Sequence, residues 1–161
     1  MFVIDTGVFI QAKQTYYAFD IAPRFWELLI EANNAGKIES IDRVQKELIR
    51  GKDDLARWAK DDFSDAFKST DRVDVATVYG QIINWVRQQA RFSRAEIARF
   101  ARGADGWLIA YAKITDGIVV THEGSEPTSN RVKIPDVCQQ FGVTCTSPFR
   151  MLRELGVKWT T

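Results

Sequence analysis

The sequence is poor in the residues that usually build metal, redox or nucleophile sites. One histidine, His122, and two cysteines, Cys138 and Cys145, occur among 161 residues. Those three side chains cannot make a four-ligand structural zinc site without carboxylates. In a chain expected to stay in a reducing compartment, Cys138 and Cys145 read as free buried thiols rather than a disulfide. A Ser-His-Asp or Cys-His group would have to use His122, and no G-x-S-x-G elbow supports one. No apolar run approaches the roughly 20 residues that span a bilayer. The N-terminus lacks the basic region and small-residue cleavage site of a secretory leader. The expectation is a cytoplasmic protein with no membrane segment.

An excess of one charge is also missing. Lys and Arg number 22, Asp and Glu 21, for a net charge of +1. A uniformly basic nucleic-acid binder is thereby excluded. The charge is uneven, however. Residues 53–74 carry seven acids and four bases. Residues 86–103 carry five arginines (Arg87, Arg91, Arg94, Arg99, Arg102) and one acid, Glu96. Residues 131–158 carry five bases and two acids. Such segments suit phosphates, although a solvated helix face explains any single arginine equally well. Hydrophobic content of 45% and the length fit one globular domain over residues 1–161.

What is present is a run of short apolar strands between helices. Residues 2–4, 37–40, 118–121 and 143–145 read as strands. Pro23 opens a helix that Gly36 stops. Asp42, with Gln45 three residues on, predicts a capped helix ending at Gly51. Residues 53–60 and 73–89 have helical periodicity, and Ser93 with Glu96 predicts a second capping box. Residues 104–114, 135–141 and 148–155 are further helices. Strands alternating with helices imply a parallel sheet covered on both faces. The expected fold is a three-layer α/β/α sandwich with a small central parallel sheet and an extra helical segment in the middle.

Ligands of open parallel sheets collect at the carboxyl ends of the strands. Asp5 leaves the strand at residues 2–4, and Glu123 lies just beyond the strand at residues 118–121. Asp105 occupies a first helical turn, where the helix dipole favours it. It also shares the inward stripe of Leu108, Ile109 and Ala112, which the dipole does not explain. Glu47 borders the apolar stripe of its own helix and, taken alone, reads as a surface residue. Four carboxylates at one edge repel one another unless cations are present. Hard oxygen ligands suit Mg2+ or Mn2+. Such a cluster fits a metal-dependent phosphodiesterase. Trp85 and Trp107 read as core rather than as stacking platforms for bases.

Six motifs carry a resemblance that covers nearly the whole chain. They are D-T-x-V-F-I at residues 5–10, Y-Y-x-F-D-I at 16–21 and S-I-D-x-V-x-x-E-L at 40–48. A-D-x-W-L-I-A-Y-A stands at 104–112, V-V-T-H-E at 119–123 and K-I-P-D-V-C at 133–138. The sequence resembles PIN-domain ribonucleases of the VapC-like toxin class, and in particular a PIN subfamily with these motifs. The resemblance implies a PIN-like fold and an RNA-cleaving pocket using Mg2+ or Mn2+. Its metal-binding and catalytic acids fall on Asp5, Glu47, Asp105 and Glu123. Thr6 and Thr121 match hydroxyls that orient the acids, and His122 is a supporting loop residue. Lys13, Lys133, Arg87, Arg91 and Arg94 are candidates for holding RNA. The implied partners are RNA and a protein antitoxin, with a homodimer left open and no membrane. Asp20 and Asp136 recur in the motifs but stay outside the core site. Two departures stand out: Gly7 replaces the usual Asn or Ser, and Gly106 replaces Pro or another small residue.

Two rival readings come from other classes. A phosphatase of the haloacid-dehalogenase type would use Asp5 as phospho-acceptor, but it expects a second aspartate where Gly7 stands. A catalytically weak interaction module would keep the fold without the chemistry.

Overall fold

The computed structural model describes residues 1–158, so the last three residues of the expected 1–161 domain lie outside the described residues. Five parallel strands form one sheet in the order β3-β2-β1-β4-β5. They are β1 (Phe2–Ile4), β2 (Ile38–Ile41), β3 (Phe67–Lys68), β4 (Ile118–Val120) and β5 (Cys145–Thr146). Every residue of β1 and β2 is buried, as strands covered on both faces must be. Val3 pairs with Glu39 on one side and Val119 on the other. β1 is therefore central, and the chain crosses from one side of it to the other between β3 and β4. That crossing makes the carboxyl ends of β1 and β4 the topological switch point.

Nine α-helices are described: α1 (Thr6–Gln11), α2 (Pro23–Asn34), α3 (Asp42–Ile49), α4 (Asp54–Asp61), α5 (Val73–Gln88), α6 (Arg94–Arg102), α7 (Asp105–Thr115), α8 (Ile134–Phe141) and α9 (Pro148–Glu154). The extra middle segment is α5 and α6. Both pack on α7, the helix that begins at Asp105. Tyr79 of α5 stacks on Trp107 of α7 with ring centroids 3.9 Å apart, and its hydroxyl donates to the Ala101 carbonyl of α6. The middle segment thus fixes the start of α7 from outside the sheet.

Several local expectations need correction. α1 starts at Thr6, directly after β1, where no capping or periodic pattern signals a helix; it continues into a π-helical turn at Ala12–Tyr16. β3 was not anticipated, and the last strand lies at Cys145–Thr146 rather than 143–145. Asp42 is the first helical residue, not the cap; its carboxylate turns to the hydroxyl and N–H of Thr70, while Gln45 donates to the Ala59 carbonyl. Ser93 does cap α6, but Glu96 faces Arg99 and the Val132 N–H instead of closing the box. Gly106 is explained by packing. A Cβ there would stand 3.0 Å from the Tyr79 ring and 3.1 Å from the Phe100 ring.

Among the described residues no helix is long and apolar enough to cross a membrane. Cys138 and Cys145 are free thiols, the first buried and the second partly so.

Candidate active site

Asp5 directly follows β1 and is the cap residue of α1, yet its carboxylate makes no capping bond. A cap aspartate ordinarily accepts from the first-turn N–H groups. Here the buried carboxylate instead accepts a hydrogen bond from the Thr121 hydroxyl (3.1 Å), which β4 delivers from the neighbouring strand end. Thr121 also accepts from the Glu123 N–H at 3.1 Å, and the Glu123 carboxylate accepts from the Ile134 N–H at 2.7 Å. One hydroxyl therefore ties Asp5 to the loop that carries Glu123.

Glu47 is fixed from two directions. Its Oε2 accepts from the Thr6 hydroxyl at 2.7 Å, and its Oε1 accepts from the Ala104 N–H at 2.9 Å. Asp105 follows directly at the first position of α7 and has no hydrogen bond or ion pair among the described residues. The two aspartates thus stand partly or wholly buried with little compensation. Burial, then the charges of Asp105 and Glu123, push the Asp5 carboxyl well above its ordinary range. Burial, then Glu123 and Glu47, push Asp105 up to about 7, with Arg99 opposing.

The four acids therefore share one electrostatic pocket at the switch point. They do not close on a single point: among the described residues no three His, Cys, Asp or Glu side chains converge into a metal-holding group. Both Glu47 oxygens are occupied, as is one of Glu123. A donor set of this kind fits Mg2+, which keeps several waters and takes one or two carboxylates, better than a cation that needs an all-protein cage. Asp5 and Asp105 are the carboxylates left underbonded for that role.

The remaining expected residues scatter. His122 has no hydrogen bond among the described residues; it lines a small apolar cavity with Ile4, Val8, Phe9 and Phe149, and burial lowers its pKa. Lys13 is held by Asp53 and Asp54. Arg91 lies over the Phe92 ring at 4.5 Å. Arg87 and Arg94 are exposed, and Lys133 precedes α8 without making a side-chain capping bond. Asp136 anchors the loop after Glu123, accepting from Ser125 and the Glu126 N–H. Trp107 carries the Arg43 guanidinium 3.8 Å from its ring centroid.

Arg99 is the residue that sequence reasoning did not single out. Its guanidinium is held up first by Glu96, then by the more distant charges of Asp105 and Glu123. Only its place one turn before the end of α6, near Asp105 in sequence, hinted at this.

Gly7 stands beside the pocket. A Cβ there would meet nothing nearer than Asp5 Oδ2 at 3.5 Å, an ordinary contact. Gly7→Ser should therefore fold and gain roughly 0.5 kcal/mol from reduced chain entropy. Thermal melts check this; a destabilised variant would contradict it.

Residues 2–159 match the family described as domain of unknown function DUF4411. The chain belongs to that family. No curated protein matches this DUF4411 chain. Among solved structures it resembles a chain of the crystal structure of FitAcB from Neisseria gonorrhoeae. The identity is 17%, the TM-score is 0.56, and the match covers 92% of this chain and 99% of that one. At that identity the likeness concerns the fold, which is the PIN-like α/β/α sandwich expected from the sequence.

Proposed function

We propose that this DUF4411 protein is an endoribonuclease that hydrolyses RNA phosphodiesters at the Asp5–Glu47–Asp105–Glu123 pocket with Mg2+ or Mn2+. The observation that carries the reading is the uncapped Asp5. A carboxylate that gives up its helix cap and shares a pocket with unpaired Asp105 supports a cation-binding role for both. A bound divalent cation would supply a nucleophilic water at neutral pH and neutralise charge on the phosphate. Asp5 and Asp105 would hold it. Thr121 orients Asp5, Thr6 and the Ala104 N–H orient Glu47, and the Ile134 N–H orients Glu123. The resemblance to VapC-like toxins supports a further reading, that the protein is the toxin of a pair and is held inactive by a protein antitoxin.

One observation favours the rival interaction module: among the described residues no three acids converge. A single experiment separates the two. Pure protein is incubated with single-stranded and structured RNA in Mn2+, Mg2+ or chelator, beside Asp5→Asn. Cleavage should require the cation and fall roughly 100-fold or more in the variant. Equal cleavage in chelator or by the variant would sink the carboxylate mechanism. No cleavage under any condition would favour the module.

A further inference from the structure

An open groove runs between the outer side of α6 and the segment at residues 130–131. Ser93, Glu96, Arg99, Arg102, Asn130 and Arg131 line it. We propose that this groove carries the phosphate backbone of single-stranded RNA on one side of the scissile bond. The inference rests on the ribonuclease reading above and names where its substrate lies.

Charge is the first argument. Three arginines face one acid, and that acid is already engaged. Glu96 accepts from Arg99 Nε at 2.9 Å and from the Val132 N–H at 2.9 Å. Its charge is used to hold Arg99 rather than to repel an anion. Arg102 and Arg131 have no side-chain hydrogen bond or salt bridge among the described residues. By contrast Arg24, Arg72 and Arg150 are each paired with a carboxylate.

Preorganisation is the second argument. Two of the five N–H donors of Arg99 lie on Glu96, which is itself anchored to the backbone of the opposite wall. The guanidinium is thus fixed before a ligand arrives, and its other donors remain for phosphate oxygens. Position is the third. Gly103 and Ala104 lead from Arg102 straight to Asp105, and the Ala104 N–H is bonded to Glu47. Arg99 in the groove also lies within reach of the charges of Asp105 and Glu123, so the groove adjoins the carboxylates. The alternative basic residues are poorer seats: Lys13 is bound to two aspartates, and Arg91 is packed on an aromatic ring.

The test uses full-length protein with Asp105→Asn to prevent turnover, Mg2+ throughout, and a fluorescein-labelled 12-nucleotide single-stranded RNA. Anisotropy titrations across salt concentration give affinity and salt slope. Adding Arg102→Ala and Arg131→Ala should weaken binding about tenfold at low salt and reduce the slope of log K against log salt by about 1.4, near 0.7 per contact removed. Arg24→Ala should change neither. With Asp105 restored, the double arginine variant should cleave the 12-mer poorly, whereas Arg24→Ala should cleave it as well as wild type does. Unchanged affinity and slope in the double variant, with a parent that binds and cleaves RNA, would overturn the groove assignment alone. Polyglutamate that competes as well as RNA would overturn it in favour of an acidic protein partner. A wild-type protein that neither binds nor cleaves RNA would overturn the ribonuclease reading and this inference with it.

Discussion

Asp105→Asn should raise the melting temperature of the metal-free protein at pH 8 while removing RNA cleavage. Asp105 is pushed up to about 7 by burial and by Glu123 and Glu47. The folded chain therefore keeps a proton that the unfolded chain has released from pH 4 upward. Stability is fully present below the unfolded value near 4 and is lost as pH rises toward 7. Asp5 is raised for the same reasons and adds a loss of the same sign. A rise of about three pKa units bounds the effect of Asp105 near 4 kcal/mol. Partial exposure reduces it to roughly 2 kcal/mol, or about 4–8 °C in Tm at this chain length.

Asparagine has no proton to lose, so the decline between pH 4 and 7 should flatten in the variant. Mg2+ should raise the wild-type Tm at pH 8 and leave the variant nearly unmoved. Melts in chelator from pH 4 to pH 8 provide the comparison. A variant no more stable than wild type at pH 8 would mean that the pocket carries no uncompensated charge, and the case for a cation there would collapse.

The sheet was legible because burial on both faces leaves continuous apolar runs, as in Phe2–Ile4 and Ile118–Val120. β3 was not, since a strand of two residues, one exposed, has no period to detect. α1 is six residues long and lacks a capping side chain, because its cap residue is turned to the pocket. Asp42 carries the sequence mark of a cap, but Thr70, 28 residues away, offers its carboxylate a hydroxyl and an N–H together. In the site, Asp5 and Glu123 could be placed from strand ends and Asp105 from its inward stripe. The bond from Ala104 to Glu47 spans 57 residues and the one from Thr121 to Asp5 spans 116. No local pattern encodes such contacts, which is also why Glu47 read as a surface residue and Arg99 as one arginine among five.

Glu47→Ala should shift stability in the opposite direction to Asp105→Asn, although both remove one negative charge from the same pocket. Glu47 is a strut as well as an acid. It joins α3 to the start of α1 through Thr6 and to the start of α7 through Ala104. Thr6 and Ala104 are only 7% and 2% exposed, so water cannot readily replace the lost acceptor. Each stranded donor costs about 1–3 kcal/mol. Relief of repulsion on Asp105 offsets part of this, leaving a net loss near 2–3 kcal/mol and about 4–12 °C in Tm. Glu47→Gln keeps Oε1 for the Ala104 N–H, and its amide can donate to the Thr6 hydroxyl, which turns to accept. That variant should stay within about 1 kcal/mol of wild type while cleaving RNA poorly. Urea denaturation of the two variants beside wild type separates the strut from the charge. If Glu47→Ala proves as stable as wild type, Thr6 and Ala104 have found other partners, and Glu47 then acts through its charge alone.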